Sequence, residues 1–360
     1  MTMLDSLGIE AMIVTGGTNR RYFSGWSADD HAPDRPSGVM LIAPKETLLY
    51  ASATNLPWAE AETLPGVTCV ELTEAWPVVV AEAIRARGFA AVGFEDAVTT
   101  VAQFRRLSES LGPDVRLVPV ADGIDRLRSV KTERELGLLR QALELTDIAF
   151  DRAAAHLREG MTERQLADFI DQQFRDLGSD GQAFDTIVAS GPNAARPHHT
   201  PGSRTIQAGE PVIIDMGARV VGYCGDLTRT VWVGQPSSQL GTMYQLVAEA
   251  QRAAFAAIRS GVEAQSVDRA ARDVFAAANV EHHFVHGLGH AVGLRIHESP
   301  FLGKQSDDVL QAGNVITIEP GVYFPDWGGV RIEDVVVVED DGYTNLTRAP
   351  KLLDETGSPS

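Results

Sequence analysis

Cysteine is nearly absent from the sequence: Cys69 and Cys224 are the two cysteines among 360 residues. Two thiols in so long a chain exclude a disulfide framework and fit a reducing compartment. No apolar run approaches the roughly 20 residues needed to cross a bilayer. The first residues carry acids where a signal peptide needs basic residues, and no long apolar core follows them. These absences predict a cytoplasmic protein with no membrane partner.

Positive charge is also scarce. The sequence has 31 Lys and Arg against 49 Asp and Glu, a formal charge of −18 at pH 7, which argues against nucleic acid as a partner. Hydrophobic residues make up 44% and charged residues 22%, the mixture of a folded globular protein. A chain of 360 residues exceeds one ordinary core, so we expect two domains.

The first third of the sequence alternates short apolar runs with helical stretches. Runs such as AMIV, VMLIA and TLLYA predict strands, and VVVAEAIRARG predicts a helix that ends at glycine. This alternation is typical of an α/β domain. It ends in a predicted helical link over residues 122–131. The sequence therefore predicts an amino-terminal α/β domain over residues 1–125 and a second domain over residues 126–360.

The second domain begins with a helix and contains a faint internal repeat. Thr132 in T-E-R-E and Thr162 in T-E-R-Q each begin a capping box. The segment around Gly160 resembles the segment around Gly261, 101 positions later. A pair of predicted helices precedes β-rich sequence in each copy. We therefore expect an α+β domain of two similar halves around a pseudo-twofold axis.

Each half contains a predicted hairpin with two acidic residues. In PVIIDMGARVVGYCGDLTRTVWVG the arms fold back around residues 220–221, which would pair Asp215 with Asp226. In VITIEPGVYFPDWGGVRIEDVVVV, Glu319 and Glu333 are symmetric about the aspartate of the PDWGG turn. Four carboxylates in a largely apolar sheet would repel one another. Divalent cations would neutralise that repulsion.

Histidine supplies a further ligand type. The segment HGLGHAVGLRIHESP contains His286, His290 and His297. Four carboxylates and one imidazole are too few to fill two separate coordination shells, so bridging carboxylates and a dinuclear centre are expected. Oxygen ligands with one nitrogen suit Mn²⁺, Co²⁺ or Zn²⁺, and such cations activate water for hydrolysis.

Several ordered motifs carry a family resemblance. A-S-G-P-N-A-A-R-P-H is followed by D-M-G with D-L-T-R, H-G-L-G-H, I-H-E-S-P, T-I-E-P-G and R-I-E-D. In these motifs the sequence resembles the proline-specific branch of the superfamily of methionine aminopeptidase, aminopeptidase P, prolidase and creatinase. The resemblance covers residues 125–348, and the preceding domain is similar, more weakly, to the amino-terminal domain of creatinase and prolidase. It implies a pita-bread fold for the second domain and a homodimer.

The resemblance also implies a role for each residue of the site. The metal ligands would be Asp215, Asp226, His290, Glu319 and Glu333. The catalytic residues would be Glu319 as general acid and base, His198 as the substrate-binding histidine and His297 as the contact of the scissile carbonyl. The pocket would also contain His286 and Arg331. The implied substrates are small peptides with proline in second position, and the implied cofactors are two divalent metal ions.

Other members of the superfamily offer rival interpretations. A metal-free binding protein and a creatinase, which uses no metal, would both be expected to lack several of the five ligands, and all five are present. A methionine aminopeptidase would not need an extra domain of about 125 residues. The predicted activity is therefore hydrolysis of the bond before proline.

Dipeptidase and aminopeptidase P activities remain as two alternatives. A dipeptidase needs a cation, preferably arginine, for the carboxylate of its proline. Some prolidases of the family carry a basic residue where this sequence has Phe301. Arg196 and Arg35 are the other candidates, and the loop that contains Arg35 often reaches the partner subunit's site in this family. We expect an Xaa-Pro dipeptidase, with aminopeptidase P as the alternative.

Overall fold

A computed structural model describes residues 3–30, 32, 35–120 and 123–351 of the chain. The backbone forms two compact units, and the second begins at Arg128. None of the helices within the described residues is both long and apolar enough to cross a membrane.

The first unit is built on one six-stranded sheet. Its helices are α1 (Met3–Leu7), α2 (Gly17–Ser24), α3 (Leu56–Glu62), α4 (Trp76–Arg87) and α5 (Val101–Leu111), and α6 (Gly123–Ser129) follows as the predicted link. Its strands are β1 (Ala11–Val14), β2 (Gly38–Ala43), β3 (Glu46–Ala51), β4 (Val67–Glu71), β5 (Ala91–Phe94) and β6 (Arg116–Pro119). The strand order is β4-β3-β2-β1-β5-β6, with both parallel and antiparallel pairs. Apolar clusters cover the sheet, and the predicted α/β organisation is confirmed.

The second unit contains two helix pairs and two main sheets. The helices are α7 (Glu133–His156), α8 (Glu163–Asp176), α9 (Ser238–Ala257) and α10 (Ala264–Ala277). The first half contributes β7 (Ile187–Ser190), β8 (Val212–Met216), β9 (Arg219–Val220), β10 (Tyr223–Cys224) and β11 (Leu227–Val231). The second half contributes β12 (Gly289–Ala291), β13 (Glu298–Leu302), β14 (Val315–Ile318), β15 (Gly321–Phe324), β16 (Gly328–Arg331), β17 (Asp334–Glu339) and β18 (Gly342–Asn345).

Each half has its own sheet and its own core. The sheet of the first half has the order β11-β8-β7, and the larger sheet of the second half has the order β13-β12-β14-β17-β18. One apolar cluster lies between α7, α8 and the first sheet, and another lies between α9, α10 and the second. Both predicted capping boxes form, with Thr132 Oγ1 accepting from Glu135 N and Thr162 Oγ1 from Gln165 N.

The predicted internal repeat is visible in the backbone. Gly160 and Gly261 both have a φ of +84°, a conformation that favours glycine. Gly160 N donates to Ile206 O at 2.9 Å, and Gly261 N donates to Leu310 O at 2.8 Å. The two helix pairs are therefore joined to their β segments by the same contact.

Candidate metal centre

The first hairpin brings Asp215 and Asp226 to one face, but in a register that differs from the predicted one. Asp215 pairs with Thr228 across β8 and β11, so its predicted direct pairing with Asp226 is wrong. The turn is centred on Val221 and Gly222, whose φ values are +48° and +81°. A two-residue loop of this kind follows the twist of the strands. It moves the pairing by two residues and, because side chains alternate, leaves Asp226 on the same face as Thr228.

The second hairpin has the predicted symmetry. Ile318 pairs with Asp334 and Gly321 pairs with Arg331, so Glu319 and Glu333 lie opposite each other in the gap between two strand ladders. Since the ladder is interrupted there, their N–H groups bond elsewhere. Glu319 N donates to Leu288 O at 2.9 Å, and Glu333 N donates to Thr228 O of the first hairpin at 3.1 Å.

Three carboxylates form a compact cluster. Asp215, Asp226 and Glu333 each offer an oxygen, and these oxygens all lie within 4.8 Å of one another. Burial, reinforced by the neighbouring carboxylates, raises the pKa of Asp226 and of Glu333 well above the ordinary value. Asp215 Oδ1 and Glu333 Oε1 are buried with no hydrogen-bond partner among the described residues. Buried carboxylate oxygens without donors are the environment that a divalent cation satisfies.

His290 and Glu319 extend this cluster. His290 lies in β12, and its Nε2 is 3.2 Å from Glu319 Oε1 and 3.8 Å from Asp226 Oδ2. Its Nδ1 is 3.2 Å from Ala291 O, which fixes the ring. Burial acts to raise the pKa of Glu319, but the hydrogen bond and charge of His290 outweigh burial and lower that pKa to about 2. All five residues predicted as ligands therefore lie in one continuous group.

Arg331 borders the cluster and contacts Thr228 and Tyr323, two residues that the sequence did not indicate. Its guanidinium donates to Asp215 Oδ2 at 2.6 Å, to Tyr323 Oη at 2.7 Å and to Thr228 Oγ1 at 3.1 Å. The Thr228 hydroxyl then donates to Glu333 Oε2 at 2.8 Å. Thr228 lies two positions after Asp226, and this strand periodicity is a signal by which the sequence could have identified it.

The cluster lies in a cavity of about 850 Å³ whose lining includes several histidines. His286 Nε2 is 2.9 Å from Tyr323 Oη, and the ring of His297 lies 4.3 Å from that of His290, centroid to centroid. His198 lines the same cavity on an exposed loop. The structure thus brings every predicted histidine to the carboxylate cluster or to the cavity around it.

A buried ion cluster lies directly behind His297. The next residue, Glu298, accepts from Arg128 Nη2 at 3.0 Å and from Lys131 Nζ at 3.2 Å. All three side chains of this ion cluster are at most 2% exposed. Strand β13, which follows His297, is therefore held in place by two cations that belong to the first residues of the second unit.

The two other arginines predicted to bind substrate, Arg196 and Arg35, are not among the described residues that line the cavity. Arg196 is exposed. Arg35 is exposed in the first unit, and its neighbour Asp34 lies outside the described residues. Among the described lining residues Arg331 is the one permanent cation, and it is paired with Asp215. Phe301 lines the cavity and is 47% exposed.

Comparison with known proteins gives the family. Residues 137–340 match metallopeptidase family M24, and residues 2–130 match the creatinase/prolidase N-terminal domain. The Xaa-Pro dipeptidase of Pyrococcus furiosus is 33% identical over 353 residues, which cover 97% of each chain.

Solved structures agree with the sequence match. An Xaa-Pro dipeptidase from Bacillus anthracis is 32% identical with a TM-score of 0.90, and the match covers 97% of this chain and 95% of that one. An X-Pro aminopeptidase from Thermotoga maritima MSB8 is 30% identical with a TM-score of 0.88, covering 97% and 98%. The predicted fold class is confirmed. The match to a metallopeptidase family also confirms the predicted use of a divalent metal. The chain belongs to metallopeptidase family M24.

Proposed function

We propose that the protein is an Xaa-Pro dipeptidase, which hydrolyses the bond before a carboxy-terminal proline. The observation that carries the proposal is the buried carboxylate cluster at a histidine-lined cavity. The names of full-length relatives from Pyrococcus furiosus and Bacillus anthracis support the same activity.

The five clustered residues would hold two divalent cations, which we propose to be Mn²⁺, Co²⁺ or Zn²⁺. The proposed ligands are Asp215, Asp226, His290, Glu319 and Glu333. The unpartnered oxygens of Asp215 and Glu333 support this assignment. When bound, such ions lower the pKa of water and polarise a carbonyl oxygen.

The side chains of this chain supply the proton transfers and the contacts with the peptide. Glu319 would accept the proton of the attacking water and return it to the proline nitrogen. His297 and His198 face the cavity and would hold the carbonyl oxygen and the peptide. Arg331 holds Asp215 at 2.6 Å and thereby fixes the orientation of that carboxylate.

Aminopeptidase P is the second candidate, and one observation favours it. The described lining of the cavity offers no cation besides Arg331, which is already paired. The carboxylate of an Xaa-Pro dipeptide would therefore depend on Arg35 or Arg196 for a charged partner. The X-Pro aminopeptidase of Thermotoga maritima has the same fold at 30% identity.

Kinetics on matched peptides tests the proposal. A dipeptidase should have a higher kcat/KM for Ala-Pro than for Ala-Pro-Ala and should lose activity when the proline carboxylate is amidated. Faster cleavage of Ala-Pro-Ala would assign the protein as an aminopeptidase P. A failure to cleave either peptide with Mn²⁺, Co²⁺ or Zn²⁺ would contradict both candidates. The predicted homodimer, cytoplasmic location and domain boundary at residue 125 stay predictions.

A further inference from the structure

Glu163 is a fully buried carboxylate that lies outside the metal cluster. It is the first residue of α8, and its side chain is 0% exposed. Its Oε1 accepts from Ser190 N at 2.9 Å, Ser190 Oγ at 2.8 Å and Asn193 Nδ2 at 2.9 Å. Its Oε2 accepts from His199 Nε2 at 2.9 Å and from Gly202 N at 3.2 Å. All five donors belong to the segment 190–202, which we call the His198 loop.

These bonds keep the carboxylate ionised. Burial acts to raise the pKa of Glu163, but the hydrogen bonds from Asn193, His199 and Ser190 outweigh burial and lower it. An ionised carboxylate can only accept hydrogen bonds, so His199 must carry its proton on Nε2. The interaction therefore fixes the position of His199 and directs its Nε2–H at Glu163.

The backbone is held on both sides of His198. On one side Pro197 O accepts a long hydrogen bond of 3.5 Å from Arg331 Nη2, inside the cavity. On the other side the ring of His199 is bound to Glu163 and is only 10% exposed. Between these two fixed neighbours the side chain of His198 lines the cavity. The orientation of His198 thus depends on contacts made by its neighbours.

The second half of the repeat shows which residue type is sufficient for folding at the position equivalent to Glu163. Glu163 N donates to Arg204 O at 3.0 Å, and Ala264 N, 101 positions later, donates to Asp308 O at 2.9 Å. Both residues begin the second helix of their pair and are fully buried. Since alanine occupies the equivalent position, the duplicated scaffold does not require a carboxylate there. Burial of a charge is unfavourable unless it is well paired, so the first half keeps Glu163 for its contacts with the His198 loop.

A helix-capping role does not account for these contacts. An acid in the first turn of a helix interacts favourably with the helix dipole, but that interaction needs no partner in a distant segment. The cap of α8 is already supplied by Thr162, whose Oγ1 accepts from Gln165 N at 3.1 Å. The carboxylate of Glu163 is directed at the loop instead.

We propose that Glu163 is the positioning residue for His198, fixing the loop through His199 so that His198 presents its ring to the peptide substrate. This inference rests on the proposed peptidase function, in which His198 binds the substrate. A loop held in place before binding loses little conformational freedom when the substrate arrives. Loss of the anchor should therefore weaken substrate binding more than it slows the chemical step.

The test is Glu163→Gln, which keeps the size of the side chain but replaces one acceptor oxygen by a donor amide. Whichever way the amide is oriented, at least one backbone N–H, of Ser190 or of Gly202, loses its acceptor. In the metal-free protein, hydrogen exchange should become faster in residues 190–202. In the Mn²⁺-loaded enzyme, KM for the peptide that is cleaved, Ala-Pro or Ala-Pro-Ala, should rise roughly three- to tenfold, the equivalent of one hydrogen bond, with kcat within about twofold.

Two further variants make the test specific. Asp168→Asn removes an exposed carboxylate from the same helix and should change neither measurement. In a His198→Ala background, Glu163→Gln should add little to KM, because the residue that it positions is gone. Glu163→Ala, which reproduces the residue type of the second half, replaces Glu163→Gln if the latter does not fold.

The outcomes separate the inference from the function on which it rests. Unchanged exchange in the His198 loop, or an equal KM effect with and without His198, would overturn the positioning role while leaving the peptidase assignment intact. A wild-type KM in His198→Ala would refute the substrate-binding role of His198 and the inference with it. A wild-type enzyme that cleaves neither peptide contradicts the proposed function itself.

Discussion

Replacing Glu333 by glutamine should stabilise the metal-free protein, and the effect should grow with pH. The oxygens of Glu333, Asp215 and Asp226 lie within 4.8 Å of one another. At that distance two unit charges repel by about 3.5 kcal/mol when the effective dielectric constant is 20. Glu333 takes part in two of the three pairs. Burial and the neighbouring charges raise the pKa of Glu333 and of Asp226. The folded metal-free protein therefore keeps protons on these carboxyl groups and avoids the repulsion.

The direction of the pH effect follows from those raised pKa values. Unfolded Asp and Glu ionise near pH 3.9 and 4.3. As the pH rises above these values, the unfolded chain releases protons that folded Glu333 and Asp226 retain, so the free energy of unfolding falls by about 1.4 kcal/mol per pH unit for each group. This loss continues until the raised pKa of the folded state is reached. Glu333→Gln removes one of the two contributions, so its advantage should widen by about 1.4 kcal/mol per pH unit.

Urea unfolding of chelator-treated protein at pH 5, 6, 7 and 8 measures this slope. Glu249→Gln, at an exposed position of α9, is the matched control and should show a pH-independent difference. Added Mn²⁺ should reverse the order: at 100 times its Kd it stabilises the wild type by about 2.7 kcal/mol and should stabilise Glu333→Gln much less. Metal binding to the wild type should also release protons, detectable by calorimetry in buffers of different ionisation enthalpy. A difference between Glu333→Gln and wild type that does not change with pH would refute the reasoning.

Four other substitutions test separate parts of the second unit and of its predicted substrate contacts. Glu319→Gln should lower kcat by at least the roughly 10²–10⁴ of general acid–base catalysis, and a near-normal kcat with metal content unchanged would assign the proton transfer to another residue. Arg35→Ala and Arg196→Ala should be compared on Ala-Pro and Ala-Pro-Ala: a carboxylate-binding arginine affects only the dipeptide, raising KM roughly tenfold to a hundredfold, and two wild-type profiles would exclude both. Glu298→Gln removes the carboxylate charge that two buried cations share and should reduce the free energy of unfolding by about 3–5 kcal/mol. A loss below about 1 kcal/mol in urea unfolding would contradict a stabilising role for this ion cluster.

The carboxylate ligands could be predicted because hairpin geometry is local. Glu319 and Glu333 are related by the centre of their own turn, and the structure keeps that symmetry across the break in the ladder. The predicted pairing of Asp215 was wrong by two residues because the turn lies one residue later than expected, and Val221 in this turn adopts a φ of +48°. A β-branched residue is not expected there, so the turn could not be placed from residue type.

Contacts between distant segments could not be predicted from periodicity. The sequence pattern did not predict α2, whose residues are largely polar, because its burial depends on partners elsewhere. Asn19 Nδ2 donates to Glu95 Oε1, 76 residues later, at 2.5 Å, and buried Arg20 pairs with Asp30 at 2.7 Å. The contacts of Glu163 could not be predicted for the same reason. In the sequence Glu163 lies within the capping box T-E-R-Q, and its first partner is 27 residues later.

The two halves of the second unit hold their histidine-bearing segments in place with different residues. Each half must hold a histidine-bearing segment against the metal cluster, and a duplicated scaffold supplies the helices and hairpins but no fixed partner for that segment. In the first half the anchor is Glu163, which lies outside the His198 loop and accepts from four backbone or neutral side-chain donors of that loop and from His199. In the second half the anchor is Glu298, which lies within the segment beside His297 and is held by two cations. Because a hydrolase needs different groups on the two sides of its substrate, the two halves differ at these anchors, whereas each half keeps two carboxylates in its hairpin, in a different register.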